Sequence, residues 1–182
     1  RELEEWLSVR GLPASFAAMW LGGEGVNKES LFEIMSSADA KVFRKFKDQL
    51  FHRSLDECHG QCLLQKGDLA LIVAKSILHY NDTAYDLNSF VIMPNHVHAI
   101  AQFRKGYDLS IIGQTWMRLS ARQINRTIGS SGAFWQPEPF DHLIRSDSPF
   151  QYLRQYIASN PEKAKLHPGS FLYWNSDSEQ PE

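Results

Sequence analysis

The spacing of apolar residues changes several times along the chain, and each change marks an element. Residues 1–9 read as a short polar helix, followed by a glycine-rich stretch, Leu21-Gly-Gly-Glu-Gly25. Between 28 and 57, Leu31, Ile34, Met35, Val42, Phe43, Phe46, Leu50 and Leu55 recur at helical spacing, which predicts two helices broken near Ser36-Ser37. A short strand is expected at 60–64. Residues 68–80 place Leu69, Ile72, Val73, Ser76, Ile77 and Tyr80 on one helix face. Two apolar runs, 85–93 and 96–103, flank Pro94-Asn95 and predict a β-hairpin at the heart of a sheet.

The second half returns to helical spacing. Residues 108–128 form a long amphipathic pattern with Leu109, Ile112, Trp116, Leu119 and Ile124 inward, closed by Gly129-Ser-Ser-Gly132. The aromatic, proline-interrupted segment 134–145 reads as an irregular edge strand. Ser148-Pro149 opens a helix over 150–159, with Tyr152, Leu153 and Ile157 as its packing side and Pro161 as its stop. Helices interleaved with antiparallel strands predict an α+β fold, a sheet with helices on one face.

Composition narrows this picture only slightly. At 182 residues, 43% hydrophobic and 22% charged, the chain suits one soluble domain with short appendages. No apolar run approaches the ~20 residues of a membrane span and no secretory leader opens the chain, so no membrane partner and a cytoplasmic location are expected. Cys58 and Cys62 make a poor disulfide framework. The net charge of −2 does not announce a nucleic-acid binder. Its distribution permits one, because residues 104–165 carry nine Lys/Arg against five Asp/Glu. A solvated helix face explains that modest excess equally well.

Candidate chemistry concentrates in two places. The first is Met93-Pro94-Asn95-His96-Val97-His98. On a strand, His96 and His98 project from one face with Val97 turned into the core. Two adjacent imidazoles can bind a divalent metal, or can simply be hydrogen-bonded histidines at a hairpin edge. Imidazole joined by amide or carboxylate oxygen suits Mg²⁺ or Mn²⁺ better than a closed structural zinc site. A second cluster, His52, Cys58, His59 and Cys62, spans a predicted helix-to-strand junction where its sulfurs need not converge. The other place is the helix near the end. Tyr156 and Asn160 lie at i and i+4 on one face, although a lone helical tyrosine is ordinarily a core residue and an asparagine before proline ordinarily a cap.

Taken together, these segments resemble a family. Leu55-Asp56-Glu-Cys-His-Gly60-Gln-Cys62-Leu, Phe90-Val-Ile-Met-Pro-Asn-His-Val-His98, Phe134-Trp-Gln136, Phe140-Asp141-His-Leu-Ile-Arg145 and Tyr156-Ile-Ala-Ser-Asn-Pro161 occur in the order and spacing of the REP-associated tyrosine transposases. These are relatives of insertion-sequence transposases in the HUH (His-hydrophobic-His) nuclease superfamily. The resemblance covers roughly residues 28–175, which would be the catalytic domain, leaving 1–27 as an N-terminal extension and 176–182 as a polar tail.

The resemblance implies a ferredoxin-like or RRM-like antiparallel sheet. It implies His96, His98 and Asn160 as ligands of Mg²⁺ or Mn²⁺, and Tyr156 as the nucleophile. The partner would be single-stranded or hairpin DNA, cut through a 5′-phosphotyrosine intermediate. Arg118, Arg122, Arg126, Trp135, His142, Arg145 and Arg154 are candidate DNA contacts, with Trp116 beside them and a core role open for both tryptophans. Asp141 and Arg145 match family positions without an assigned role. A relaxase or replication initiator of the same superfamily, and a nucleic-acid-binding module with a vestigial site, are the alternatives. Family members usually begin with a strand that nothing before Lys28 resembles, so that strand is expected to be missing or divergent. A bare sheet edge beside the site would also invite pairing as a homodimer.

Overall fold

The apolar runs on either side of Pro94-Asn95 form an antiparallel hairpin, β1 (Tyr85–Ile92) and β2 (Val97–Phe103). They are seen in a computed structural model that describes residues 2–12, 35–43, 45–46, 61–136 and 141–178. The turn closes with the Met93 N–H donating to the His96 carbonyl at 2.8 Å. A third strand, β3 (Leu172–Asn175), pairs antiparallel with the free edge of β1, giving the order β2-β1-β3. The central strand is thus paired along both edges, and helices cover both its faces, which is why Phe90, Val91 and Ile92 are consecutive buried residues. A β-bulge between Leu87 and Ser89 shifts the alternation by one residue. Tyr85 and Leu87 before it and Phe90 and Ile92 after it consequently share one face.

That face packs against α2 (Gly67–Leu78) and α3 (Leu109–Ile128). Leu69, Ile72, Val73, Ile77, Ile112 and Ile124 join the strand residues in the main core. Asp108 caps α3 by accepting from the Ser110 N–H at 2.7 Å. Gly129, at φ 68, ends that helix in a left-handed turn that favours glycine. Tyr85 ties the layers together: its hydroxyl donates to the Ile77 carbonyl and accepts from Trp116 Nε1 at 3.0 Å. The opposite face of the sheet receives α4 (Asp147–Lys163) through Ile157, packed on Val91, Met93 and Ile100. The architecture is α+β with an antiparallel sheet, compatible with a ferredoxin-like fold.

Several expectations need correction. Residues 61–64 are not a strand: Cys62 is left-handed at φ 44 and Leu63–Gln65 form a 3-10 turn. Cys62 is also disulfide-bonded, against the expectation from composition. His52, Cys58 and His59 lie outside the described residues. No strand forms at 134–136 or 141–145; Phe134 and Trp135 pack on the main core instead. Leu119 is exposed while Ser120 is buried, its hydroxyl donating to the Trp116 carbonyl at 2.7 Å. Helix α4 begins at Asp147 and runs through Pro161 to Lys163. In the last turn a proline removes only one amide hydrogen bond, which the helix tolerates. Tyr152 is 68% exposed and does not pack. Strand β3 had no periodic signal, being only four residues long.

The chain divides into two compact units, Arg1–Arg53 and Ser54–Glu182. In the first, α1 (Glu2–Val9) buries Leu3 and Leu7 against Met35, Ala40 and Phe43. Trp6 stacks on Phe46 with ring centroids 5.2 Å apart. Residues 37–43 are helical, and Ser36 Oγ accepts from the Asp39 N–H at 3.1 Å, so the predicted break is a helix start. The glycine-rich stretch, the remaining helix pattern and the question of a first strand all fall on residues outside those described.

Candidate active site

The register of the hairpin decides where the histidines point. Val97 pairs with Ile92, and both lie on the face covered by α2 and α3. His98 pairs with Val91 and so lies on the opposite face, beneath α4. His96 immediately precedes the strand, and its ring meets that of His98 edge to face, centroids 4.8 Å apart. His96 is 7% exposed and His98 half-buried, and both Nε2 atoms are buried.

Two contacts hold the turn that carries them. The Leu64 N–H donates to the Pro94 carbonyl at 2.9 Å, so the 3-10 turn after Cys62 braces the hairpin tip. Asn95 Oδ1 lies 2.7 Å from His96 Nδ1. A carboxamide oxygen can only accept, so Nδ1 carries the hydrogen and the neutral ring keeps its lone pair on Nε2.

Helix α4 brings the tyrosine to the same place. Leu153, Ile157 and Ala164 form its packing stripe against Val91, Met93 and Ile100, and complete burial of Ile157 contributes roughly 1.5–3 kcal/mol. That stripe turns Tyr156 toward β2, where its ring meets His98 edge to face at 5.4 Å. Its hydroxyl oxygen is buried. Asn160, one turn further on the same flank, is 2% exposed, and its Nδ2 meets no hydrogen-bond partner among the described residues. Lys163 Nζ stands 5.1 Å from the centre of the Tyr156 ring.

The geometry thus brings His96, His98 and Tyr156 together and sets Asn160 beside the tyrosine. The other candidates disperse. Arg118, Arg122 and Arg126 are exposed on α3, across the sheet from His98. Trp135 packs on the core and donates through Nε1 to Ser120 Oγ at 2.9 Å, and Trp116 is likewise half-buried. His142 and Arg145 are exposed around Ile144, which joins the cluster under α4. Arg154 is ion-paired with Asp177, and Asp141 is exposed. From sequence, Asn95 was read only as a turn residue and Tyr152 only as a packing residue, and Lys163 was not singled out. The i+7 spacing of Lys163 from Tyr156 was the one signal available for it.

Two imidazoles and an amide are neutral donors that fit a divalent cation with open positions for water and substrate oxygen. The inward end of the Asn160 amide has no partner among the described residues. Its two ends interchange by a half-turn, so the oxygen can equally face the site. Among the described residues no three His, Cys, Asp or Glu side chains converge. Among the same residues no helix is long and apolar enough to cross a membrane.

Comparison with known proteins gives one informative similarity. The chain is 28% identical over 82 residues to the REP-associated tyrosine transposase of Escherichia coli (strain K12), a match covering 45% of this chain and 47% of that protein. The chain therefore spans about half the length of the curated relative it matches. No family model matches, and no solved structure matches significantly.

Proposed function

We propose that this chain is a metal-dependent single-strand DNA endonuclease and strand transferase of the tyrosine transposase kind, acting on hairpin DNA. The edge-to-face contact of Tyr156 with His98 at 5.4 Å carries the reading, because it sets a phenol beside a paired-imidazole site. The partial similarity to a REP-associated tyrosine transposase supports it.

In this reading Tyr156 Oη attacks the scissile phosphorus. An Oη–P bond forms and the P–O3′ bond breaks. The phenolic proton is lost to water, and the departing 3′-oxygen takes up a proton. The product is a 5′-phosphotyrosine link and a free 3′-hydroxyl. The exchange is a transesterification, so rejoining by the reverse step requires no nucleotide. A phenol with a pKa near ~10 is a weak nucleophile at neutral pH, which explains the need for a charged partner at the phosphate.

His96, His98 and Asn160 are the residues that would hold Mg²⁺ or Mn²⁺. When bound, such an ion supplies Lewis-acid polarisation of a phosphoryl oxygen. Asn95 keeps His96 in the tautomer that presents Nε2, and α4 orients Tyr156 against His98.

Incubation with single-stranded hairpin DNA and Mg²⁺ or Mn²⁺, followed by a denaturing gel, tests the reading. A covalent protein–DNA band that disappears in Tyr156→Phe and in His96→Ala is the expected result. Bound but uncut DNA with either metal would count against it.

A further inference from the structure

The flank of α4 that carries Tyr156 extends in both directions. Tyr152 lies one turn before it, Asn160 one turn after and Lys163 two turns after. Tyr152 is 68% exposed, whereas Leu153 and Ile157 form the packing side of the same helix. Lys163 Nζ stands 5.1 Å from the centre of the Tyr156 ring. Among the described residues no carboxylate is ion-paired with Lys163. An exposed aromatic ring, the tyrosine and a cation therefore follow one another along a single line.

We infer that this flank is the track for one DNA strand, with Tyr152 stacking an unpaired base and Lys163 neutralising a backbone phosphate on the other side of Tyr156. The inference rests on Tyr156 being the nucleophile. A rise of about 1.5 Å per residue separates Tyr152 and Lys163 by roughly 16 Å along the helix axis. With stacked bases spaced ~3.4 Å apart, that length admits a few nucleotides. A duplex offers no free base face, so the ring selects for a single strand.

The test is fluorescence anisotropy of a labelled oligo-dT strand, and of the matching duplex, with the intact chain and its variants. Tyr152→Ala weakens single-strand binding by about 5- to 150-fold, from the usual worth of a stacked base. Tyr152→Phe keeps the stack and binds as the parent chain does. Lys163→Gln lowers the slope of log affinity against log salt by about 0.7, the value for one phosphate contact on a single strand, and Lys163→Arg restores it. Duplex affinity is indifferent to Tyr152. Single-strand affinity unchanged in Tyr152→Ala overturns the inference. A parent chain that forms the Tyr156 adduct while ignoring both changes overturns the track and leaves the nucleophile standing. No adduct, with affinity falling in both variants, overturns the nucleophile and leaves a strand-binding flank.

Discussion

The side chains of Asn95 and His96 are joined, Asn95 Oδ1 lying 2.7 Å from His96 Nδ1. The bond spans adjacent residues of the Pro94-Asn95 turn, so the turn that starts β2 also fixes the orientation of the imidazole before it. The ring nitrogen left to act as a donor to a cation is Nε2, which is buried on the α4 side of the sheet.

Loss of the Asn95 acceptor should free the His96 ring to change tautomer and tilt. Asn95→Ala is expected to lower Mn²⁺ affinity about 10- to 100-fold, the usual effect of removing the partner of a ligating imidazole. Asn95→Asp retains an acceptor and should bind at least as well as the parent. Calorimetric titration with Mn²⁺ measures both, and equal affinity in the alanine variant would remove Asn95 from the account.

Tyr85 is fully buried, and its hydroxyl links α2 to α3 through Ile77 and Trp116. Tyr85→Phe keeps the ring contact with Trp116, 5.1 Å between centroids, but leaves the indole N–H without its acceptor. A buried donor left unpaired costs about 1–3 kcal/mol, and the half-buried indole puts the loss near the lower end, so urea unfolding should show a loss of about 1 kcal/mol with little change in slope. A variant as stable as the parent would mean that the indole finds another acceptor.

Two surface carboxylates contribute to the acid dependence of stability. Arg104 beside Asp86 holds that carboxyl below its ordinary range, and hydrogen bonds from Ser110 do the same for Asp108 at the start of α3. Both folded pKa values are depressed, so the unfolded chain binds more protons as the solution is acidified. Their contribution is fully present above about pH 4 and is lost as pH falls through the folded values. Asp108→Asn caps the helix without titrating. Thermal melts from pH 5 downward should therefore show a shallower acid loss in that variant, and an identical slope would reject the assignment.

Much of the fold was legible where pattern and packing agree. The two runs around Pro94-Asn95 became β1 and β2 to within one residue at each end, and the periodic patterns near 68–80 and 108–128 became α2 and α3. Strand β3 was not legible, because four residues carry no period and its pairing with β1 is set across the sheet. The helical pattern of α4 was clear, but Pro161 concealed its last turn and so hid Lys163 as a helical neighbour of Tyr156. Tyr152 was read as a packing residue because its chemistry suits a core. Only the direction of the Leu153–Ile157 stripe shows that it faces outward. The approach of His98 to Tyr156 depends on α4 crossing the far face of the sheet, which no local spacing encodes.

The most direct measurement is the position of the covalent link. After reaction with single-stranded hairpin DNA and Mn²⁺, nuclease trimming and trypsin digestion release residues 155–163, which contain Tyr156 as their sole tyrosine. Mass spectrometry of that peptide should find a nucleotide-5′-phosphate on Tyr156. An adduct on any other residue, or cleaved DNA with an unmodified peptide throughout the reaction, would contradict Tyr156 as the nucleophile.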